Sequence, residues 1–186
     1  MLNCKMCLDG PGGVGKTALR ERFAKNTFQA QYMHTIGADF CVKYLTVENR
    51  KTRVEIWDLA GQGRYHAVKQ LYYVGAMSII AIFDLSRPDS LHKLSNNIED
   101  AWKYNEKKII PIVLVGNKVD LRSQFPESIS SETGLAYAHE LSDITKEYGF
   151  EVPYIETSAL TAENVNEVFH LSCKMIYKIL RRLLRC

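Results

Sequence analysis

The 186-residue chain carries 24 Lys and Arg against 21 Asp and Glu, a formal net charge of +3, and 46% of it is hydrophobic. That length suits one domain with its own core, and a single domain over residues 1–186 is expected. So small a charge gives no global pull towards nucleic acid, and no run of about twenty apolar residues is present to cross a membrane.

The first apolar run, Lys5-Met6-Cys7-Leu8, reads as a buried strand. It starts too near the N-terminus for a signal peptide to be expected before it. It leads into Gly10-Pro11-Gly12-Gly13-Val14-Gly15-Lys16-Thr17, a G-x-x-x-x-G-K-T pattern, and then into 18–23, which favours helix. Strand, glycine loop and helix together form the setting that a phosphate-binding loop needs, and argue against a chance glycine turn. Glycines let the backbone curl with its N–H groups inward, and the helix N-terminus adds partial positive charge. Lys16 is expected to reach the β- and γ-phosphates, and the Thr17 hydroxyl to ligate magnesium. Cys4 and Cys7 form a C-x-x-C. Three positions apart on a strand they face opposite sides of the sheet. Buried thiols in a reducing cytosol are expected, not a metal or redox pair.

After a polar loop at 26–36 come two β-rich runs, 39–47 and 52–58, joined by Glu48-Asn49-Arg50-Lys51 as a hairpin. A glycine-rich loop at 59–64 precedes a helix around 67–73. The continuous apolar run 78–85 is typical of a strand covered on both faces. Helix is expected over 90–104, strand over 109–115, helix over 132–148 and strand over 152–156. A last helix begins near Asn164, with Glu167 completing a capping box. The pattern predicts an α/β fold of the P-loop NTPase kind. Its sheet is doubly wound, six-stranded and mostly parallel, with one antiparallel hairpin strand and helices on both faces.

Such sheets bind ligands beyond the carboxyl ends of their strands. Asp58-Leu59-Ala60-Gly61, Asn117-Lys118-Val119-Asp120 and Glu156-Thr157-Ser158-Ala159 all fall there, with the phosphate loop. Asp58 carries a negative charge where magnesium belongs and would hold it through a water. Gly61, without a side chain, lets its N–H approach the γ-phosphate. The two oxygens of Asp120 match the N1–H and amine of guanine, whereas adenine would leave that carboxylate unpaired. The Lys118 stem can lie over a base face. Ala159 offers a backbone N–H to the base carbonyl.

These motifs resemble the five guanine-nucleotide boxes of the Ras superfamily of small GTPases, in order and over nearly the whole chain. Ile36-Gly37-Ala38-Asp39-Phe40, Ile56-Trp57-Asp58, Tyr72-Tyr73-Val74-Gly75-Ala76 and Phe83-Asp84-Leu85-Ser86 look most like the Rab branch. The resemblance implies a switch that binds GTP/GDP with magnesium and slowly hydrolyses GTP, in signalling or membrane traffic. It implies nucleotide contacts at Gly12, Gly13, Val14, Gly15, Lys16, Thr17, Ala18, Phe28, Thr35, Gly61, Asn117, Lys118, Asp120, Ser158, Ala159 and Leu160. Thr17, Thr35 and Asp58 would hold magnesium. Lys16 would act in catalysis with Gln62, which orients the attacking water. Effectors, exchange factors and GTPase-activating proteins would read the loops 31–40 and 61–73. No arginine within the boxes is placed as a finger, so an activating protein is expected to supply one in trans past Gly12.

Three residues depart from the family pattern. Asp9 replaces an aliphatic residue, Gly63 an acidic one and Leu160 a lysine. They support an alternative, a non-hydrolysing scaffold that binds nucleotide and a partner. A P-loop kinase or ATPase is disfavoured by the guanine-specific Asp120. Residues 142–152 exceed the family norm; 143–148 read as an extra turn or two of helix, and a neutral surface insertion is favoured over a functional one. The stretch 178–186 is basic and amphipathic and ends in Cys186 without a C-a-a-X box. It reads either as the solvated face of the last helix or as a basic tail able to make peripheral contact with an anionic membrane surface, and the protein is expected in the cytoplasm, with the cytoplasmic face of a membrane as the alternative.

Overall fold

The structure, a computed structural model, describes residues 2–28, 37–61, 71–105 and 108–183. Six strands form one sheet: β1 Leu2–Asp9, β2 Ala38–Val47, β3 Arg50–Leu59, β4 Ser78–Asp84, β5 Ile112–Asn117 and β6 Tyr154–Thr157. Their order is β2-β3-β1-β4-β5-β6. The β2–β3 hairpin is antiparallel, and every other pairing is parallel. Glu48 and Asn49 close that hairpin at φ 47° and 61°. Two left-handed residues in succession match the right-handed twist of the flanking strands.

β4 and β5 are buried along their whole length, as their unbroken apolar runs predict. Both core faces are assembled from β1. Cys4, Met6 and Leu8 pack on one side with Leu19, Phe23 and Phe169. Cys7 faces the other with Phe83, Leu94 and Ile98. The two cysteines therefore separate across the sheet, as their spacing requires. Phe23 and Phe169 stack at 3.9 Å between centroids and hold two helices, α1 (Lys16–Lys25) and α5 (Val165–Leu183), together.

Several boundaries move from their sequence positions, each for a local reason. β5 starts at Ile112 and β6 at Tyr154, each just after a proline, Pro111 or Pro153. A proline has no N–H for the ladder. The register shift carries both strands to Asn117 and Thr157, so the motifs sit at the strand ends themselves. The helix expected over 90–104 is two pieces, α2 Pro88–His92 and α3 Leu94–Tyr104, starting early because Pro88 presets φ. α4 runs Ser131–Thr145 and continues as a 3₁₀ turn, Lys146–Tyr148, stopped by Gly149 at φ 86°. In place of the expected capping box, Asn164 lies at φ 55° and its side-chain amide donates to the Glu156 carbonyl at 2.9 Å. Of the helix expected around 67–73, residues 71–73 are helical and the rest lies outside the described residues.

Candidate nucleotide-binding site

β1 delivers the chain into the loop, and Gly15 is the N-cap of α1 at φ 99°, with no side-chain cap. The N–H groups of the first helical turn have no intrahelical acceptor, so they face the loop ready for an anion. A Cβ on Gly15 would lie 2.3 Å from Asn117 Nδ2. Glycine there lets that amide donate to the Val14 carbonyl at 2.8 Å, tying the loop to the end of β5. Lys16 is buried, and its ammonium donates to the Gly10 and Pro11 carbonyls at 2.7 and 2.9 Å. Its charge is thereby held over the loop.

Beside it the Thr17 hydroxyl donates to Asp58 Oδ2 at 2.5 Å. The other oxygen, Oδ1, is buried and has no hydrogen-bond partner among the described residues. Burial pushes the Asp58 carboxyl up, against the Thr17 hydrogen bond and the charges of Lys16 and Arg20. An orphaned carboxylate oxygen next to a hydroxyl suits a hydrated divalent cation, which would supply the missing donors and charge. Gly61 presses on the same corner, where a Cβ would come within 2.5 Å of Lys16 Nζ and 2.6 Å of the Gly12 nitrogen. Thr35 and Gln62 lie outside the described residues.

At the far end, Thr157 Oγ1 donates to Asn117 Oδ1 at 3.1 Å, joining β5 to β6. The Ser158 hydroxyl donates to Asp120, and accepts from the Thr161 N–H at 3.1 Å. Lys118, at φ 69°, sends its ammonium to Asp84 Oδ2 at 2.6 Å. Thus Asn117, Lys118, Asp120, Ser158 and Ala159 converge on one end of the sheet, with Leu160 at its exposed rim.

Three further residues, outside the nucleotide boxes, hold this geometry together. Asp84 ends β4 fully buried, and takes Lys118, Ser86 and Arg87 together. Burial alone would raise its carboxyl, but those three partners hold it below the usual carboxylate range. As a polar residue ending a buried strand, it carried the same signal as the recognised motifs. Arg22 of α1 reaches the Ala159 and Leu160 carbonyls, both at 2.8 Å, with its guanidinium 6.0 Å from the Phe28 ring centroid. Arg122 grips Glu156 through two bonds of 2.6 Å, clamping the two base-side loops. These arginines gave no local signal, because their partners are far away in sequence.

Asp9 is resolved as a structural carboxylate. It is buried and accepts from the Gly10 N–H at 2.6 Å, from the Asn97 amide at 2.8 Å and from the Tyr73 hydroxyl. Burial and the adjoining Asp9 charge push the Tyr73 hydroxyl far up, so it stays a donor.

A family model described as Ras family matches residues 5–178. The chain is 33% identical over 178 residues to the Ras-related protein RABA2a of Arabidopsis thaliana, covering 96% of this chain and 76% of that protein. It is 34% identical over 175 residues to the GTP-binding protein ypt3 of Schizosaccharomyces pombe, covering 94% and 76%. With the Ras-related protein RABD2c of Arabidopsis thaliana it shares 36% over 165 residues, covering 89% and 76%. The chain therefore belongs to the Ras family, as a Rab-like small GTPase and so a GTP hydrolase.

Proposed function

We propose that the chain is a guanine-nucleotide switch, one G domain over 1–186, that binds GTP or GDP with magnesium in the strand-end groove. The observation that carries this reading is the convergence on one sheet edge of Lys16, the Thr17–Asp58 pair and the Asn117–Asp120–Ser158 cluster. Phosphates would lie against the N–H groups of 12–17, with Lys16 turned onto their oxygens. Magnesium would take the Thr17 and Thr35 hydroxyls, with Asp58 acting through a water, and would neutralise charge on the phosphates. Ser158 orients the Asp120 carboxylate for the N1–H and amine of guanine. Hydrolysis would proceed by direct attack of water, slowly without an activating protein, with these residues positioning and polarising the phosphates and Gln62 orienting the water.

Partners would read the loops 31–40 and 61–73. An aromatic row supports that reading. Phe40 is 55% exposed, and stacks on Trp57 at 5.0 Å between centroids, which meets Tyr72 at 5.6 Å. The Rab names of the relatives favour membrane traffic at the cytoplasmic face. The basic tail begins inside α5, where Arg181 pairs with Glu48 at 2.6 Å and Arg182 reaches the Gly149 carbonyl. Membrane contact would then fall to Lys178 and the last three residues.

Competition of GTP against ATP and XTP tests the guanine assignment. GTP should win outright. Asp120→Ala should lose at least about 2 kcal/mol of GTP affinity, because base donors are left unpaired. Equal binding of ATP by the wild type would end this reading.

A further inference from the structure

Arg87 lies outside every guanine-nucleotide motif, yet it touches the phosphate loop. It is the N-cap of α2, with Pro88 next to it. Its backbone is fixed: its N–H donates to the Asp84 carbonyl at 3.0 Å, and its carbonyl takes the Ser90 hydroxyl at 2.7 Å. From there the side chain leans over the loop. Nε donates to Asp84 Oδ2 at 2.9 Å and an Nη donates to the Gly12 carbonyl at 3.1 Å. A Cβ built on Gly13 would lie 3.5 Å from that nitrogen.

The guanidinium thus stands against Gly12 and Gly13. It borders a cavity of about 650 Å³ shared with Pro11, Gly12, Gly61 and Lys93. Gly61 is the residue packed on Lys16 Nζ and the Gly12 nitrogen, so with GTP bound as proposed above this cavity would open at the γ-phosphate end of the loop. Lys93 and Asp89 on the cavity rim offset each other at 3.7 Å. Asp84 carries one negative charge between two cations, Lys118 and Arg87, which leaves one positive charge in excess beside the loop. Two of the five guanidinium N–H donors are used by Asp84 and Gly12, and the side chain is half-exposed towards the cavity.

We propose that Arg87 is a catalytic arginine supplied in cis, donating to the γ-phosphoryl oxygens as charge develops on them during hydrolysis. This rests on the GTPase reading. Water bonds to the γ-phosphorus while the bond to the β–γ bridging oxygen breaks. GDP departs with that electron pair, the water proton passes to phosphate, and Arg87 stays protonated throughout. A preorganised guanidinium at that point lowers the barrier without moving a proton. It fills in cis the place that the sequence motifs left for an arginine in trans.

The test is single-turnover hydrolysis by the purified full chain without any activating protein, on wild type, Arg87→Ala, Arg87→Gln and Arg87→Lys. Alanine and glutamine should slow hydrolysis about 20-fold, near the ratio between GTPases with and without an arginine in cis. Lysine should recover part of the rate, having the charge but not the fork. The second readout is uptake of GDP with aluminium fluoride, a planar stand-in for the transferring phosphoryl group. Wild type should take it up alone and the alanine and glutamine variants should not, while all release GDP at the wild-type rate. Unchanged hydrolysis in Arg87→Ala and Arg87→Gln overturns the proposal. So does GDP release accelerated in step with the lost hydrolysis, since Arg87 would then only shape the loop. A wild type that never hydrolyses GTP overturns the GTPase reading with it.

Discussion

The Tyr73 hydroxyl donates to the Asp9 carboxylate across a separation of 64 residues. It joins the segment that follows the Gly61 loop to the residue just ahead of the phosphate loop. Asp9 is buried, and its oxygens also serve Gly10 and Asn97. A carboxylate beside a phosphate site is tolerable because these donors, rather than the ligand, absorb its charge.

Removing that acceptor should therefore be costly. Asp9→Ala takes an acceptor away from the Gly10 N–H, the Asn97 amide and the Tyr73 hydroxyl together, and should destabilise the fold by about 3 kcal/mol. Tyr73→Phe should cost about 1–2 kcal/mol. The double variant should cost less than the sum, because both changes remove the same hydrogen bond. Urea unfolding of the three variants measures the coupling, and strictly additive losses would show that the pair does not act as a unit.

Arg22 should control nucleotide residence. Its two bonds to the Ala159 and Leu160 carbonyls fix the loop under the base. A charge-assisted hydrogen bond is worth about 1.5–3 kcal/mol. Arg22→Ala should accordingly release GDP and GTP about 10- to 100-fold faster, both alike, because the contact is at the base and not the phosphates. Arg22→Lys should restore little, since one ammonium cannot span two carbonyls as the fork does. A chase of fluorescent GDP reads the rate, and no acceleration in Arg22→Ala would sink the assignment.

Two buried carboxylates should respond to pH in opposite senses. Asp84 is held below the ordinary carboxylate range, so the stability it contributes is present above an unfolded value near about 4. That stability is lost as pH falls through the depressed folded value. Asp58 is pushed up by burial, so its protonated form suits the fold, and ionising it costs stability as pH rises from about 4. Asp58→Asn should consequently stabilise the nucleotide-free protein at pH 7 by about 1 kcal/mol, a gain that shrinks towards pH 4, while weakening magnesium-dependent GTP binding. Asp84→Asn should destabilise at pH 7, and the deficit should close under acid. Thermal melts across that range in a chelator separate the two, and parallel profiles for both variants would contradict these environments.

The alternation of apolar runs, the glycine spacing of 10–17 and the polar boxes were legible in the sequence because each is a local pattern. A β-strand followed by G-x-x-x-x-G-K-T cannot easily place its glycines otherwise, and Asp58, Asn117 and Ser158 at or beside the ends of β3, β5 and β6 follow the strand-end rule. Even the shifted starts of β5 and β6 were written in Pro111 and Pro153. The supporting contacts were a different matter. Arg22 meets Ala159 across 137 residues, Arg87 meets Gly12 across 75, and Lys118 meets Asp84 across 34. Nothing in the neighbourhood of an arginine says which distant carbonyl or carboxylate it will face. That was decided only when the sheet order β2-β3-β1-β4-β5-β6 set β1 beside β4 and β4 beside β5. The polar strand ends then shared one edge, and buried charges had to find partners there, because an unpaired charge in that interior would cost more than the fold can spare.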